Sequence, residues 1–192
     1  MPPTGFSAAT ALDLVRAGTP LQAVTDGHSM DEIARAVADA LTGLRLGVSA
    51  LDEAGLHRHA GLELWSIAEI AGHALAADAA AHAIARVLAL GRVPSDPADR
   101  AHPVDPFDRR FPYGAPGDAS ASREAILAAI RTAEERLATA RVLAAGGPAY
   151  AHDELGALTA RGWVLLSGVH LAAHLHQAAA VMRARPAPTL DQ

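Results

Sequence analysis

The segment of the sequence best equipped for chemistry lies near the C-terminus, where residues 168–177 read GVHLAAHLHQ. It places three histidines and a glutamine in an otherwise apolar stretch. His170 and His174 are four residues apart, so in a helix their imidazoles point the same way, one turn apart. Such a pair presents two nitrogen donors to one metal ion. The same spacing also fits two core histidines that are hydrogen-bonded to the backbone or to each other.

A third histidine strengthens the metal interpretation. At about 100° per residue, His73 falls on the apolar face of a different predicted helix. Three unpaired imidazoles in one small core would cost several kcal/mol of desolvation, which a divalent cation would offset. The pattern therefore predicts a metal site at His73, His170 and His174. On the C-terminal helix the two histidines share their face with four further residues: Trp163, Leu166, Gln177 and Val181.

Three histidine ligands leave a fourth position open for water or a substrate atom, which is typical of catalytic zinc sites. Zinc or nickel is expected, with iron, manganese, cobalt and copper as alternatives. Imidazole suits nickel, iron, copper and cobalt as well as zinc, so the donor set alone does not identify the metal. Two residues near the ligands are candidates for a catalytic role. Glu69 lies one turn before His73 and is either a general base, a support for a ligand or simply part of a helix cap. Gln177, one turn after His174, either orients a ligand or bonds across the bundle.

The remaining polar residues of these helices are expected to lie at the surface. His82 is nine residues after His73, about half a turn round the helix, and is predicted to face water. Asp78 is predicted to be a solvated charge, and His176 to point away from the pair. The other histidines fall in loops or at helix ends and are expected to be exposed: His28, His57, His59, His102 and His152.

Four long helices are predicted to position these side chains. Ser29 with Glu32 and Ser66 with Glu69 have the spacing of a capping box, which marks the start of a helix. Apolar residues then recur every three or four positions, as in amphipathic helices. The third helix begins at Ser120 or Ser122. The expected ranges are 29–51, 66–90, 120–146 and 159–184, with Gly or Pro residues at or near their ends.

The connection between the second and third helices, residues 92–119, contains six prolines and cannot be helical. A crossover of this length allows the helices that it joins to run parallel. The predicted fold class is therefore all-α, a four-helix bundle with a long crossover between helices 2 and 3. Residues 1–28 are predicted to be an N-terminal extension with a short helix around Ala8–Arg16, residues 29–185 the bundle, and 186–192 a tail. No alternating strand pattern is evident.

Composition excludes several classes of function. The formal net charge is −5, and all 16 basic residues are arginine, so there is no basic stripe for nucleic acid. Cysteine is absent, which excludes disulfides, thiolate ligands and a cysteine nucleophile. The N-terminus lacks the features of a signal peptide, and no apolar run predicts a membrane span. A cytoplasmic protein acting on a small molecule is expected.

Two motifs resemble the DinB-like family of four-helix-bundle proteins. LWSIAEIAGHALAADAA contains His73, and GALTARGWVLLSGVHLAAHLHQ contains the His-x3-His-x2-Gln pattern. The resemblance covers roughly residues 29–184. It implies a bundle with a long crossover, often dimeric, and a divalent metal on His73, His170 and His174. Relatives include thiol S-transferases that use bacterial low-molecular-weight thiols and the mycothiol-dependent maleylpyruvate isomerase. Alanine at Ala172 and Ala173 departs from the commoner pattern and leaves little support around the ligands.

Three functions follow from these observations. The first is an enzyme in which the metal activates water or an external thiol for attack on a small electrophile. The second is a metal-binding or small-ligand-binding module of the stress response, without turnover. The third is a structural bundle whose histidines bond one another. Measurements of metal content and turnover distinguish the three.

Overall fold

The computed structural model describes residues 5–59, 64–94, 116–141 and 146–183. These residues form an all-α fold with one small hairpin, which confirms the predicted class. Most of the crossover between the second and third long helices, with His102, lies outside the described residues. In chain order the elements are α1 (Ala8–Arg16), α2 (Leu21–Asp26), α3 (Met30–Ser49), α4 (Glu53–Leu56), α5 (Ile67–Ala89), α6 (Arg123–Ala140), β1 (Tyr150–His152), β2 (Gly156–Leu158) and α7 (Ala160–Arg183).

The four long helices are α3, α5, α6 and α7, and their starts are set by local capping. Ser29 and Ser66 each accept a hydrogen bond from the backbone N–H three residues later, and the glutamates Glu32 and Glu69 bond back to the cap. Both predicted capping boxes are therefore present. For α6, the cap is Ser122, whose hydroxyl accepts from the backbone N–H of Ala125. These local signals place the helix starts as predicted.

The order of the helices is up, down, down, up. Helix α7 packs on α3 and α5, and α6 packs on the other side of the same two helices. Along α5 and α6, Gly72 lies beside Gly117 and Asp118 just before α6 begins, and Asp78 bonds Arg136 further along both helices. Helices α5 and α6 are therefore parallel, as the long crossover between them predicted.

Helix α7 lies at the centre of the fold and is buried along most of its length. It packs on α1, α2 and β2 as well as on α3 and α5, which explains why it is apolar on every face. Within the described residues it is the one helix long and apolar enough to cross a membrane, with a mean hydropathy of 1.2 over an 18-residue window. Because 78% of that window is buried inside the fold, its composition matches its position as the central helix.

The N-terminal extension is packed into the same core. Helix α1 has the bounds that were predicted for it, whereas α2 was not predicted. Leu12 and Leu21 are fully buried. The amide oxygen of Gln22 accepts a hydrogen bond from the backbone N–H of Thr159, directly before α7. The extension therefore supports the start of the helix that carries two of the three candidate ligands.

Strands β1 and β2 form an antiparallel hairpin that the sequence reading missed. Each strand has three residues, which is too short for a recognisable alternating pattern. The hairpin also corrects the prediction for His152, which was expected to be exposed but is only 6% exposed. Its ring packs 5.7 Å from that of Trp163, and its Nδ1 accepts from the backbone N–H groups of Glu154 and Leu155.

Candidate metal centre

The three histidines predicted as ligands meet in the interface between α5 and α7. His73 comes from the second turn of α5, and His170 and His174 come from the middle of α7. All three are buried. One ring nitrogen from each lies within 4.8 Å of the other two. Two separate helices thus deliver three imidazole nitrogens to one point, and this group can hold a metal ion.

The rings stand roughly perpendicular to one another. The ring centroids are 4.4 Å apart for His170 and His174, 4.9 Å for His73 and His174, and 5.2 Å for His73 and His170. The Nε2 atoms of His170 and His174 are 2.8 Å apart. Because the rings meet edge to face, their nitrogens can approach one another without a steric clash between the rings.

Gln177 fixes the orientation of one candidate ligand. Its side-chain oxygen lies 2.7 Å from Nδ1 of His174. An amide oxygen can only accept, so Nδ1 of His174 carries the proton and its Nε2 presents a lone pair. Gln177 therefore bonds a candidate ligand on its own helix. When no metal is bound, the 2.8 Å contact requires His170 to donate its Nε2–H to His174.

Burial favours the neutral form of His170 and His174. It lowers the pKa of His174 to about 4, with a further lowering by the charge of His73, against the opposing effect of the hydrogen bond to Gln177. The pKa of His170 lies well below its ordinary value because of burial and of the neighbouring charges of His174, His73 and His152. Neutral imidazole is the form that binds a metal, so the site is set to bind a cation at neutral pH.

The geometry fits a metal ion after a small adjustment. Tetrahedral zinc with nitrogens at about 2.0–2.1 Å holds them roughly 3.3 Å apart. The closest pair, at 2.8 Å, would have to separate by about half an ångström. Nitrogens as far apart as the 4.8 Å limit would have to approach by about 1.5 Å, so rotation of the side chains is needed in both directions. His170 differs from His174 in one respect. Its Nδ1 is buried and has no hydrogen-bond partner among the described residues, whereas metal-binding histidines usually donate that N–H to an acceptor.

Trp65 forms one wall of the site. Its ring centroid lies 5.0 Å from that of His73 and 6.5 Å from that of His174, in a nearly parallel stack with the latter. The tryptophan directly precedes the N-cap of α5, so the cap sets the point at which it enters the bundle. In the sequence Trp65 stands out only as part of the motif LWSIAEIAGHALAADAA, and its place beside the candidate ligands was not predicted.

Glu69 is part of the helix cap. Its Oε2 accepts from both the backbone N–H and the hydroxyl of Ser66, at 2.7 and 2.8 Å. The same oxygen lies 3.7 Å from Nδ1 of His59. The carboxylate is thus held at the N-terminus of α5, where the helix dipole favours it. It is not one of the groups that converge with the three histidines.

Two of the surface predictions on α5 are wrong. His82 is 3% exposed and Asp78 is fully buried. Helix α5 packs on α6 as well as α7, so a residue opposite His73 meets another helix instead of water. Asp78 Oδ2 accepts from Nη2 of Arg136 at 2.8 Å, and Nδ1 of His82 lies 3.2 Å from Asp78 Oδ1.

These contacts keep Asp78 ionised. Burial by itself would raise the pKa of this carboxyl group, but the hydrogen bond and charge of His82, together with Arg136, bring the pKa below its ordinary value. The network joins α5 to α6, whereas the three candidate ligands join α5 to α7. Of the remaining described histidines, His59 is exposed as predicted, and His176 is exposed as well. His28 and His57 were also predicted to be exposed but are partly buried.

Comparison with a family profile agrees with this architecture. No curated protein and no solved structure matches the chain. The profile of the DinB superfamily matches residues 28–178, a range that contains all four long helices up to the last turns of α7 and all three candidate ligands. The chain belongs to the DinB superfamily.

Proposed function

We propose that this protein is a metal-dependent enzyme that transfers an external thiol, or water, to a small electrophilic substrate. The observation that carries the proposal is the convergence of three buried imidazoles from α5 and α7, whose ring nitrogens lie within 4.8 Å of one another. Three nitrogen donors leave a tetrahedral ion with one free position, the arrangement found in catalytic zinc sites. Zinc or nickel is the proposed ion, and iron, cobalt and copper are also compatible with imidazole, whereas manganese prefers oxygen ligands.

Each residue of the site has a distinct task in this proposal. His73, His170 and His174 hold the ion, and Gln177 keeps the Nε2 lone pair of His174 directed at it. Trp65 covers the rings on one side and limits the access of bulk water. A divalent ion bound there supplies a Lewis acid that lowers the pKa of a thiol or of water. Since the chain has no cysteine, any thiol is a separate low-molecular-weight molecule.

The proposal is tested by metal content and turnover together. Elemental analysis of the purified protein should give about one divalent ion per chain, as three ligands from one chain imply. A panel of small electrophiles should be consumed when a low-molecular-weight thiol is supplied, or hydrolysed without one. His170→Ala should lose both the metal and the turnover. His176→Ala is the matched control, because His176 lies on the same helix but is exposed, and it should retain both.

Two results would reject the enzyme proposal. If His170→Ala binds metal and turns over substrate like the wild-type chain, the three imidazoles are not the site. If the protein contains no metal and cannot be loaded with one, the 2.8 Å contact between His170 and His174 is a hydrogen bond within a structural bundle.

A second function, metal or small-ligand binding without turnover, is favoured by the position of Glu69. This carboxylate is one turn from His73 but is engaged by Ser66, which leaves it poorly placed to move a proton. In this case the metal would tie α5 to α7 and stabilise the fold. Chelation would then lower the melting temperature, while no substrate in the panel is consumed. Measured turnover of any such substrate excludes this as the sole function.

A further inference from the structure

A groove of about 380 Å³ runs between the parallel helices α5 and α6, away from the three histidines. Its volume is within the range of about 300–1,000 Å³ that is usual for small-molecule sites. Small apolar side chains form most of its walls, and polar groups stand at its ends. Asp118 lies at the end near the start of α6, and Thr132 and Arg136 lie at the other end.

The helices α5 and α6 are joined by hydrogen bonds near both ends of the groove. At one end the backbone N–H of Gly117 donates to the carbonyl of Glu69 at 3.0 Å, and Gly117 lies directly against Gly72. At the other end Arg136 bonds Asp78. Between these fixed points the facing side chains are mostly too short to fill the space: Ala76, Ala79, Ala125 and Ala129.

Arg136 is fixed in place and retains donors for a ligand. Its Nη2 donates to Asp78, a fully buried carboxylate, while the arginine side chain itself is 30% exposed. Nδ1 of His82 lies 3.0 Å from the backbone carbonyl of Asp78 and 3.2 Å from its Oδ1, so Oδ2 remains the oxygen that accepts from Arg136. An arginine oriented in this way is suited to bind a carboxylate.

We propose that this groove is a second binding site, which takes an elongated apolar molecule carrying a carboxylate at one end. The alkyl part would lie along the alanine walls, and the carboxylate would accept hydrogen bonds from the exposed side of Arg136. The negative charge of Asp118 at the opposite end disfavours the reverse orientation and gives the bound molecule a direction. Gly72 lines the groove, while the neighbouring His73 contacts the rings of α7. The site is therefore separate from the candidate metal centre.

Octanoate is a suitable probe, with octan-1-ol and octylammonium as matched ligands of the same chain length. Isothermal titration calorimetry on the full chain should show octanoate binding about tenfold or more tightly than octylammonium, since only the carboxylate can accept from arginine. Ala129→Leu fills the groove and should weaken octanoate binding about tenfold. Ala128→Leu is the matched control: Ala128 is also exposed on α6 but does not line the groove, and binding should not change. Removal of the metal should leave octanoate binding unaffected.

Several outcomes would overturn this inference. Equal binding of all three ligands would mean adsorption to an apolar surface without recognition by Arg136. Equal weakening by Ala128→Leu and Ala129→Leu would place the binding elsewhere. If octanoate does not bind and Ala129→Leu converts a dimer to a monomer in size-exclusion chromatography, the groove is an interface between two copies of this chain. If no ligand binds and the oligomeric state is unchanged, the groove is not a small-molecule site.

Discussion

Replacing Gln177 by leucine tests whether the site is built to hold a metal or only to bury three histidines. The amide oxygen of Gln177 is 2.7 Å from Nδ1 of His174, and both residues are buried. Leucine has a similar size but no acceptor. The His174 ring would lose the bond that holds its proton on Nδ1, and a proton on Nε2 would block the atom that faces the other ligands.

The size of the effect follows from the role of such supporting bonds. Loss of a hydrogen bond to a metal-binding histidine weakens metal affinity about 10–100-fold, or roughly 1.4–2.7 kcal/mol. The metal-free protein should also lose about 1–3 kcal/mol of stability, because the buried N–H of the imidazole is left without an acceptor. A fall in the zinc affinity of the folded protein, measured separately from stability, is therefore the expected signature. A purely structural glutamine would not produce it.

The assay is competition for zinc against a chromophoric chelator at neutral pH, with urea unfolding of the metal-free proteins in parallel. Gln177→Glu keeps an acceptor and, by adding charge, should retain or increase zinc affinity. His176→Leu changes an exposed neighbour and should have no effect. If Gln177→Leu binds zinc as tightly as the wild-type chain, the orienting role of this hydrogen bond is refuted.

Three further predictions concern stability. Gly117→Ala should destabilise the fold by about 1–3 kcal/mol, because its Cβ would lie 2.6 Å from the Cα of Gly72; a melting temperature equal to that of the wild type would contradict this. Asp78→Asn should lower the free energy of unfolding in urea by about 2–3 kcal/mol. This is less than is usual for a broken buried ion pair, because the side chain of Arg136 is 30% exposed. An unchanged unfolding midpoint would show that the ion pair does not stabilise the fold. In the metal-free protein, burial lowers the pKa of His174 to about 4 from an ordinary 6.5. Between these pH values the folded state binds fewer protons than the unfolded state, so the free energy of unfolding should fall by about 3 kcal/mol as pH drops from 6.5 to 4. A free energy of unfolding that does not change over this pH range would contradict the prediction.

The helix starts could be predicted because their signals are local. Ser29 and Ser66 each find their partner within one turn, so the capping box depends on no other part of the chain. The shared face of His170 and His174 could likewise be predicted, since a spacing of four residues fixes the relative direction of two side chains in any helix. The contact of His73 with these two residues depends on the packing of α5 against α7, which spacing within one helix does not determine. It was expected because burying three imidazoles without a common partner is costly.

The wrong surface predictions for α5 arose because the number of helices that pack on it was underestimated. His82 was assigned to the surface because it lies about half a turn from His73, which is correct for a helix with one neighbour. Helix α5 has two, α6 and α7, and its buried face is correspondingly wider. The hairpin that buries His152 was missed because three-residue strands carry no periodic pattern.

The alanine content of α5 explains how one helix can support two polar clusters. Alanine fixes the helix without requiring deep apolar pockets on either side, so α5 can approach α7 at His73 and α6 at Asp78. Each buried polar group then depends on a partner from the facing helix: the α7 histidines for His73 and Arg136 for Asp78. A buried polar residue of an alanine-rich helix therefore indicates where a neighbour must supply a charge or a hydrogen bond. On this argument, the wrong surface assignment of Asp78 and the correct assignment of His73 have the same origin. Both residues mark interfaces of α5, and only the number of those interfaces was underestimated.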